Sequence, residues 1–570
     1  MCQTPTSTYP IDRRDGWWTL AVVAAGVGML ATGMFWGVPV SKSICGALRV
    51  LDGEVPYRDF WSMYAPGQFY AVAALFAMFG RHVLIQAAAV VLIRALTGGV
   101  LYRICRRLGA DRPVAAGLAL LFVGSLVKPA PELTTYPPAL LCLLIAVERI
   151  VCYLRDDRRV SLPWIGVWLG IAACFKHDVA AYAAVSISLT FFVTWYGLGG
   201  RRSAAWLHPV KASAKLAAGA LAVFLPAASL IAWSAGPDVW QRLVVFPATD
   251  FRAVRDEPYQ PLLPSWQPIA DWAEDWRDVY KARAVIAGQA GWLMCNVPQW
   301  VFVIAAGWLA VRRRQIDAKT IATAAFFLIC LPPFWLAAHI QQNTHIYSMA
   351  VFSLLLAGMA QIRLATVARS RRRLRGLLVA GVGVYACGLL AQPAMGLFRT
   401  VVQWPESRRL DLPGTAGIRV PQDDHEVYDN ITRFIRTHVP PTERIYVGVK
   451  RHDAIVINNL RFYYLSGRRN CCRYDELHPG VTDRDDVQRE IIDALETHAV
   501  RCVVLWRFGW SEATLNEIKA RNQDALPGLG STRLDTYLAA RFETIAQYGE
   551  YDLMWRKDLP PPVTDRVTGR

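Results

Sequence analysis

The sequence predicts a membrane all-α protein, a polytopic helical bundle of about eleven transmembrane helices, followed by a C-terminal extracytoplasmic α/β (or α+β) domain. Three observations predict it. Of 570 residues 54% are hydrophobic and only 19% charged, too apolar a balance for a soluble chain of this length. Long uncharged runs recur at the length that crosses a bilayer core, roughly 20 residues. The charge is also divided unevenly: residues 1–400 hold 38 Lys+Arg against 20 Asp+Glu, whereas 401–570 hold 24 against 25. Residues 1–400 therefore read as a membrane domain, 401–423 as a Pro/Gly-punctuated linker, and 424–560 as a soluble domain long enough to bury a core of its own.

The spans are placed near 17–37, 83–102, 113–128, 136–154, 162–176, 178–197, 213–235, 288–311, 319–337, 346–362 and 376–396. The first reads as a retained span, because its apolar stretch is too long for a signal peptide and no small-x-small cleavage site follows. Basic residues cluster in alternate connectors: Arg13-Arg14, Arg103 to Arg112, Arg155 to Arg159, Arg201 to Lys211, Arg312 to Lys319 and Arg363 to Arg375. Lys and Arg in short connectors stay on the cytoplasmic side. The N-terminus is thus expected inside, and residues 38–82, 129–135, 236–287, 338–345 and the tail outside, in a multi-pass protein of the inner or plasma membrane. Topology accounts for the basic surplus, so no nucleic-acid partner is expected.

The outer segment 38–82 carries Gly53-Glu54-Val55-Pro56-Tyr57-Arg58-Asp59-Phe60, then Tyr64-Ala65-Pro66-Gly67 and Phe79-Gly80. Its apolar stretch from Gln68 to Gly80 is too short to span and is expected to lie in the interface or re-enter. This order resembles the first outer loop of the multi-spanning GT-C glycosyltransferases, in particular the bacterial branch of protein mannosyltransferases and the lipid A aminoarabinose transferase. The resemblance covers about the first 400 residues. It implies transfer of a sugar, with inversion, from a polyprenyl-phosphate donor at the outer face of the membrane. Such relatives carry an acid right after the first span; here that stretch is Val38-Pro39-Val40-Ser41-Lys42-Ser43, with none.

The chemistry fixes which residue types matter. An acceptor hydroxyl must lose its proton as it attacks the anomeric carbon, which a carboxylate within hydrogen-bond reach can accept. The leaving group is an anionic phosphate, so cations must meet the charge that develops. Asp59 is the first choice for base, with Asp52 and Glu54 behind it; the blander reading of Asp59 is a loop carboxylate paired with Arg58. Phe175-Lys176-His177-Asp178 interrupts an apolar hairpin, and ionisable residues in that setting are costly unless paired or wetted. Lys176 and His177 are candidates for the donor phosphate, or else end the hairpin by snorkelling. Lys128, in the turn Val127-Lys128-Pro129-Ala130-Pro131-Glu132, and His345, in Gln341-Gln342-Asn343-Thr344-His345, carry the same two readings of ligand or structural residue. Arg58, Arg252 and Arg255 complete the binding set, the last two in a Trp-rich loop suited to cap the headgroup level. No metal ligand set is assigned, although a divalent cation, Mg or Mn, is compatible with a phosphate-bearing donor. The partners expected are that donor, a lipid or glycan acceptor and membrane lipid.

In the tail, helices are expected near 424–438, 485–498, 511–522 and 534–547, and strands near 444–450, 455–459, 500–506 and 551–556. Arg461-Phe462-Tyr463-Tyr464-Leu465-Ser466-Gly467-Arg468-Arg469 mixes aromatic and cationic groups as glycan binding would, and reads as a strand with its turn. Among 12 Cys, the vicinal Cys471-Cys472 and Cys502 leave a disulfide open. Two rival functions remain at this level: a transporter or flippase for lipid-linked sugars, which would place charges near the midplane of two matching halves, and an inactive relative that binds glycan. No internal repeat is evident, and the candidate charges sit toward the outer edge.

Overall fold

The computed structural model describes residues 11–154, 160–197, 208–254, 401–454, 457–508 and 510–560, with isolated positions elsewhere, and the chain divides into two compact units. The expected spans at 288–311, 319–337, 346–362 and 376–396 lie outside the described residues, as do Arg255 and His345.

The first unit comprises residues 1–34, 88–229 and 257–401. Its described helices are α1 (Arg13–Ala31), most of α4 (Val83–Arg107), α5 (Arg112–Ser125), α6 (Tyr136–Leu154), α7 (Leu162–Phe175), α8 (His177–Gly197) and most of α9 (Pro209–Ala235). Each of the expected spans that falls on described residues coincides with one of them. Among the described residues α4, α6, α8 and α9 are long and apolar enough to cross a membrane, while α5 and α7 are shorter apolar helices. The first helix starts and stops earlier than expected. Asp12 and Asp15 form a reciprocal capping box that fixes its start at Arg13, and the chain leaves the helix after Ala31. Phe122, Leu144, Ile150, Ile165 and Phe191 are fully buried in the core of this unit. Two buried carboxylates tie its basic ends together: Asp15 accepts from Arg106 at 2.8 Å and Tyr102 at 2.9 Å, and Glu148 from Arg107 at 2.5 Å and Arg103 at 3.3 Å.

The second unit comprises residues 35–87, 230–256 and 402–570, so two connectors and the tail form one body. Its helical part holds α2 (Lys42–Leu51) and α3 (Gly67–Phe79); the latter is the short apolar stretch that cannot span, with Met78 and Phe79 about two-thirds exposed. Short helical turns follow over 238–254. In the tail, β1 (Arg408–Arg409) and β2 (Arg419–Val420) make a small antiparallel ladder. Then come α10 (Gln422–His438), β3 (Arg444–Val449), α11 (Arg461–Ser466), β4 (Arg469–Asn470), α12 (Asp485–Thr497), β5 (Cys502–Trp506), α13 (Glu512–Ala525), α14 (Arg533–Arg541), β6 (Phe542–Tyr548) and β7 (Tyr551–Arg556). The five-stranded sheet runs β4-β3-β5-β7-β6, with β4, β3 and β5 parallel and β7 and β6 antiparallel. Its mixed pattern fits the expected α/β or α+β class, since α12 connects β4 to β5 as crossovers between parallel strands require.

Three local expectations are corrected. Residues 461–466 are helical rather than extended: the Asn459 side chain accepts the Arg461 N–H at 3.1 Å, and Gly467, at φ +66°, closes the turn in the left-handed conformation that glycine adopts freely. The helix expected over 534–547 ends at Arg541, because Phe542–Tyr548 pairs with β7 through the turn at Gly549, and hairpin pairing outweighs helix periodicity there. Residues 457–459 form no strand; the Asn458 amide instead bonds the carbonyls of Val447 at 2.7 Å and Asp475 at 3.0 Å. Cys471, Cys472 and Cys502 are free thiols, all buried.

Candidate functional site

The loop between α2 and α3 is knotted by its own backbone. Tyr57 sits at φ +71°, a strained position for a bulky residue, donating its N–H to Phe60 O at 2.8 Å and its hydroxyl to Tyr64 O at 2.6 Å. Arg242 caps the Tyr57 carbonyl. Asp59 closes the knot: its carboxylate accepts the Val55 N–H at 2.7 Å, and Arg58 grips it through two bonds at 2.9 and 2.7 Å. The bond from Arg58 holds its carboxyl below the usual carboxylate range against the opposing effect of burial, with Val55 and Arg49 adding to the shift. Its side chain is 30% exposed, more open than Asp52 at 19% or Glu54 at 18%.

Those two acids are engaged elsewhere in the unit. Asp52 pairs with Arg469 at 2.8 Å and Arg81 at 3.7 Å. Glu54 receives Arg49 Nε at 2.5 Å, while the rest of that guanidinium reaches Asp475 at 2.9 Å, the Cys472 carbonyl at 3.2 Å and the Asp59 carbonyl at 2.8 Å. Arg49 thus fastens the loop to the tail, and although burial opposes its charge, Asp475 and Glu54 raise its affinity for the proton.

A second cluster lies beside it. Lys42, the first residue of α2, points its ammonium at Glu476, 3.2 Å away, and over the Tyr64 ring at 3.4 Å from the centroid. The other Glu476 oxygen meets His478 Nε2 at 2.8 Å. Burial alone would raise the Glu476 carboxyl, but Lys42 and His478 hold it down at about 2. An ionised carboxylate only accepts, so His478 Nε2 carries the proton that is shared with it. Phe60, Trp61, Ser62, Phe69 and Asp475 complete the lining of a small cleft of about 10 Å³, room for roughly one water, around these groups. The stretch 38–43 holds no acid of its own, and Glu476 of the tail stands against its Lys42. Lys42, Glu476, His478, Arg49 and Asp475 were not among the residues singled out from sequence; their partners lie more than 400 positions apart for the Lys42 and Arg49 pairs, a separation that no local pattern reports.

The remaining candidates belong to the first unit or lie outside the description. Lys176 terminates α7 in an extended conformation, bonds Asp178 at 2.9 Å and stands 5.2 Å from the Tyr136 ring centroid; His177 opens α8. Lys128 is exposed in the turn after α5, which packs so close to α1 that a Cβ at Gly33 would lie 2.3 Å from the Lys128 carbonyl oxygen. Arg252 falls in the turn Asp250–Val254, its side chain outside the description. Among the described residues no three His, Cys, Asp or Glu side chains converge as a metal ligand set.

Comparison with known proteins adds one finding on fold. No family model matches the chain, and no curated protein sequence matches it. Among solved structures it is similar to the crystal structure of ArnT from Cupriavidus metallidurans bound to undecaprenyl phosphate, with a TM-score of 0.52 at 14% identity, covering 95% of this chain and 98% of that one. The chain therefore shares the fold of that structure over 95% of its length, a span that takes in the first 400 residues over which the resemblance was read and the tail as well.

Proposed function

We propose that this chain is an integral membrane glycosyltransferase that moves a sugar, with inversion, from a polyprenyl-phosphate donor to a lipid, glycan or protein acceptor on the outer face of the cell membrane. The observation that carries the reading is the likeness of fold over nearly the whole of both chains to a protein bound to undecaprenyl phosphate. In this reading Asp59 takes the acceptor proton. Its depressed pKa keeps it ionised at neutral pH, and it is the most accessible of the three loop carboxylates. Asp52 and Glu54, each held by arginine, shape the field around it. Lys128, Lys176, His177, Arg58, Arg252, Arg255 and His345 are proposed to meet the donor phosphate and its leaving charge. The N-terminus is placed in the cytoplasm and the tail outside.

The test uses purified protein with radiolabelled undecaprenyl-phosphate pentoses and hexoses and a crude envelope acceptor. Wild type is expected to transfer label, and Asp59→Asn to turn over about 10²–10⁴-fold more slowly, the usual contribution of a general base. Asp59→Asn turnover equal to wild type removes Asp59 from the role. Absence of any product from wild type favours the transporter or glycan-binding readings.

A further inference from the structure

We infer that Arg49 is a positioning residue for the proposed base, a clamp through which the tail holds the Asp59 loop in place, with Asp475 as its anchor in the tail. The inference rests on the glycosyltransferase reading, in which Asp59 takes the acceptor proton. It adds a part in the geometry of that reaction for a residue 426 positions away from Arg49 in the sequence.

The turn that leads to Asp59 does not hold its shape unaided. Tyr57 stands at φ +71°, and a bulky residue in that region persists only where its surroundings over-determine it. Arg49 meets the strained turn at both ends. Its Nε donates to the Glu54 carboxylate ahead of Tyr57, and its Nη2 donates to the Asp59 carbonyl beyond it at 2.8 Å. The Phe60 ring lies against the same guanidinium, its centroid 5.1 Å from the central carbon. Toward the tail, Nη1 donates to Asp475 at 2.9 Å and to the Cys472 carbonyl at 3.2 Å.

Three nitrogens thus serve four protein groups, which the planar fork of a guanidinium permits and a lysine ammonium does not. The side chain is only 12% exposed, so Arg49 acts through the protein and not on a substrate. Asp475 is itself fixed, because its Oδ1 also accepts the amide of Asn470 in β4 at 3.1 Å. The clamp therefore ends on the sheet. Misplacing a catalytic group by about 1 Å costs roughly 10²-fold in rate, which gives such a tether kinetic weight. Arg49 also bears on the charge of the base. Arg58 is the main group that holds the Asp59 carboxyl down, burial opposes it, and Arg49 adds to the lowering. Glu54 and Asp475 are the carboxylates that face Arg49. Deleting the Arg49 charge therefore raises the pH at which Asp59 becomes a base, whereas deleting Asp475 does not.

Initial rates of the full-length protein in nanodiscs test this, with the radiolabelled undecaprenyl-phosphate pentose or hexose that wild type accepts and rates normalised to monodisperse protein. Arg49→Lys keeps the charge and loses the fork. Its kcat is expected to fall about ten- to a hundredfold with KM little changed, and the acid limb of its pH profile to stay in place. Arg49→Gln should lose as much and move that limb to higher pH. Asp475→Ala should lower kcat without moving the limb upward, and the double variant Arg49→Lys/Asp475→Ala should be little worse than the poorer single one, as members of one clamp are not additive. Wild-type kcat per folded molecule in Arg49→Lys and Asp475→Ala overturns the role, as does a double variant whose two losses multiply, or an acid limb that Arg49→Gln leaves unmoved. If Arg49→Gln yields no monodisperse protein, the other two variants and their combination decide the matter. Failure of wild type to transfer any of these sugars overturns the glycosyltransferase reading and this role together. Wild-type transfer with unchanged kcat in the variants overturns the role alone.

Discussion

Glu476 is worth more to the fold than an exposed acid because it neutralises a lysine that has left bulk water. Its carboxyl titrates at about 2 in the folded chain, below the model-peptide value, with burial opposed by Lys42 and His478. A depressed carboxylate contributes stability that is complete above the unfolded pKa, near 4.3, and lost as pH falls through the folded value. Between pH 5 and pH 2 the pair should therefore surrender on the order of 3 kcal/mol. Glu476→Gln, which leaves the partly buried Lys42 charge without its partner, should cost about 3 kcal/mol at pH 7, read as a lowered unfolding midpoint by scanning fluorimetry. Asp483 has the opposite sign. It is fully buried, neither carboxylate oxygen has a hydrogen-bond partner among the described residues, and burial raises its pKa to about 6 despite nearby Gly480 and Asn522. Stability tied to a raised carboxyl is present below pH 4 and lost as pH rises through 6, so Asp483→Asn should stabilise at pH 8 by roughly 2–3 kcal/mol and do little at pH 4. A stabilisation equal at both pH values would assign the effect to packing instead of charge. The pairing of Asp59 with Arg58 was legible in the sequence because the two are neighbours in one loop. Glu476 and His478 were not, since their meaning comes from Lys42, and only folding brings that residue to them.

The close approach of α7 and α9 depends on three glycines. A Cβ at Gly166 would lie 2.1 Å from Leu216 O, one at Gly170 2.5 Å from Ala220 O, and one at Gly219 1.9 Å from Pro163 O. Backbones this near are the means by which apolar helices gain packing where lipid offers no hydrophobic drive. Gly166→Leu should separate the pair and lose well over 3 kcal/mol, seen as aggregation on gel filtration from detergent. Gly117→Ala, where a Cβ meets nothing within 4 Å, should leave the protein monodisperse. Equal behaviour of the two variants would mean that the contact is not needed for folding. At this scale the sequence was most readable where one physical demand dominates: α4, α6, α7, α8 and α9 match their apolar runs to within a few residues, because bilayer thickness sets run length. It was least readable at 461–466 and 542–548. There a bond from the Arg461 N–H to the Asn459 side chain and a ladder to β7, both tertiary or turn-dependent, decide between conformations that local composition leaves nearly balanced.

Across the whole chain, the reading depends on which side of the membrane the second unit faces. By the positive-inside rule, the alternation of Arg13-Arg14, Arg103 to Arg112 and Arg201 to Lys211 with less basic connectors is expected to leave residues 38–82, 236–287 and the tail across the membrane from those clusters. That residues 35–87, 230–256 and 402–570 form a single compact unit is what such a topology requires, since loops on opposite sides of a bilayer could not pack together. The shared side is expected to be the outside. Glu517, on the exposed face of α13, is a suitable reporter, with Arg14 at the start of α1 as its cytoplasmic counterpart. In intact cells a membrane-impermeant maleimide should label Glu517→Cys and spare Arg14→Cys, with both labelled after permeabilisation; the native Cys471, Cys472 and Cys502 are buried and should stay silent. Labelling of Arg14→Cys but not Glu517→Cys in intact cells would put Asp59 in the cytosol. A polyprenyl-phosphate sugar presented on the outer leaflet could not then reach it.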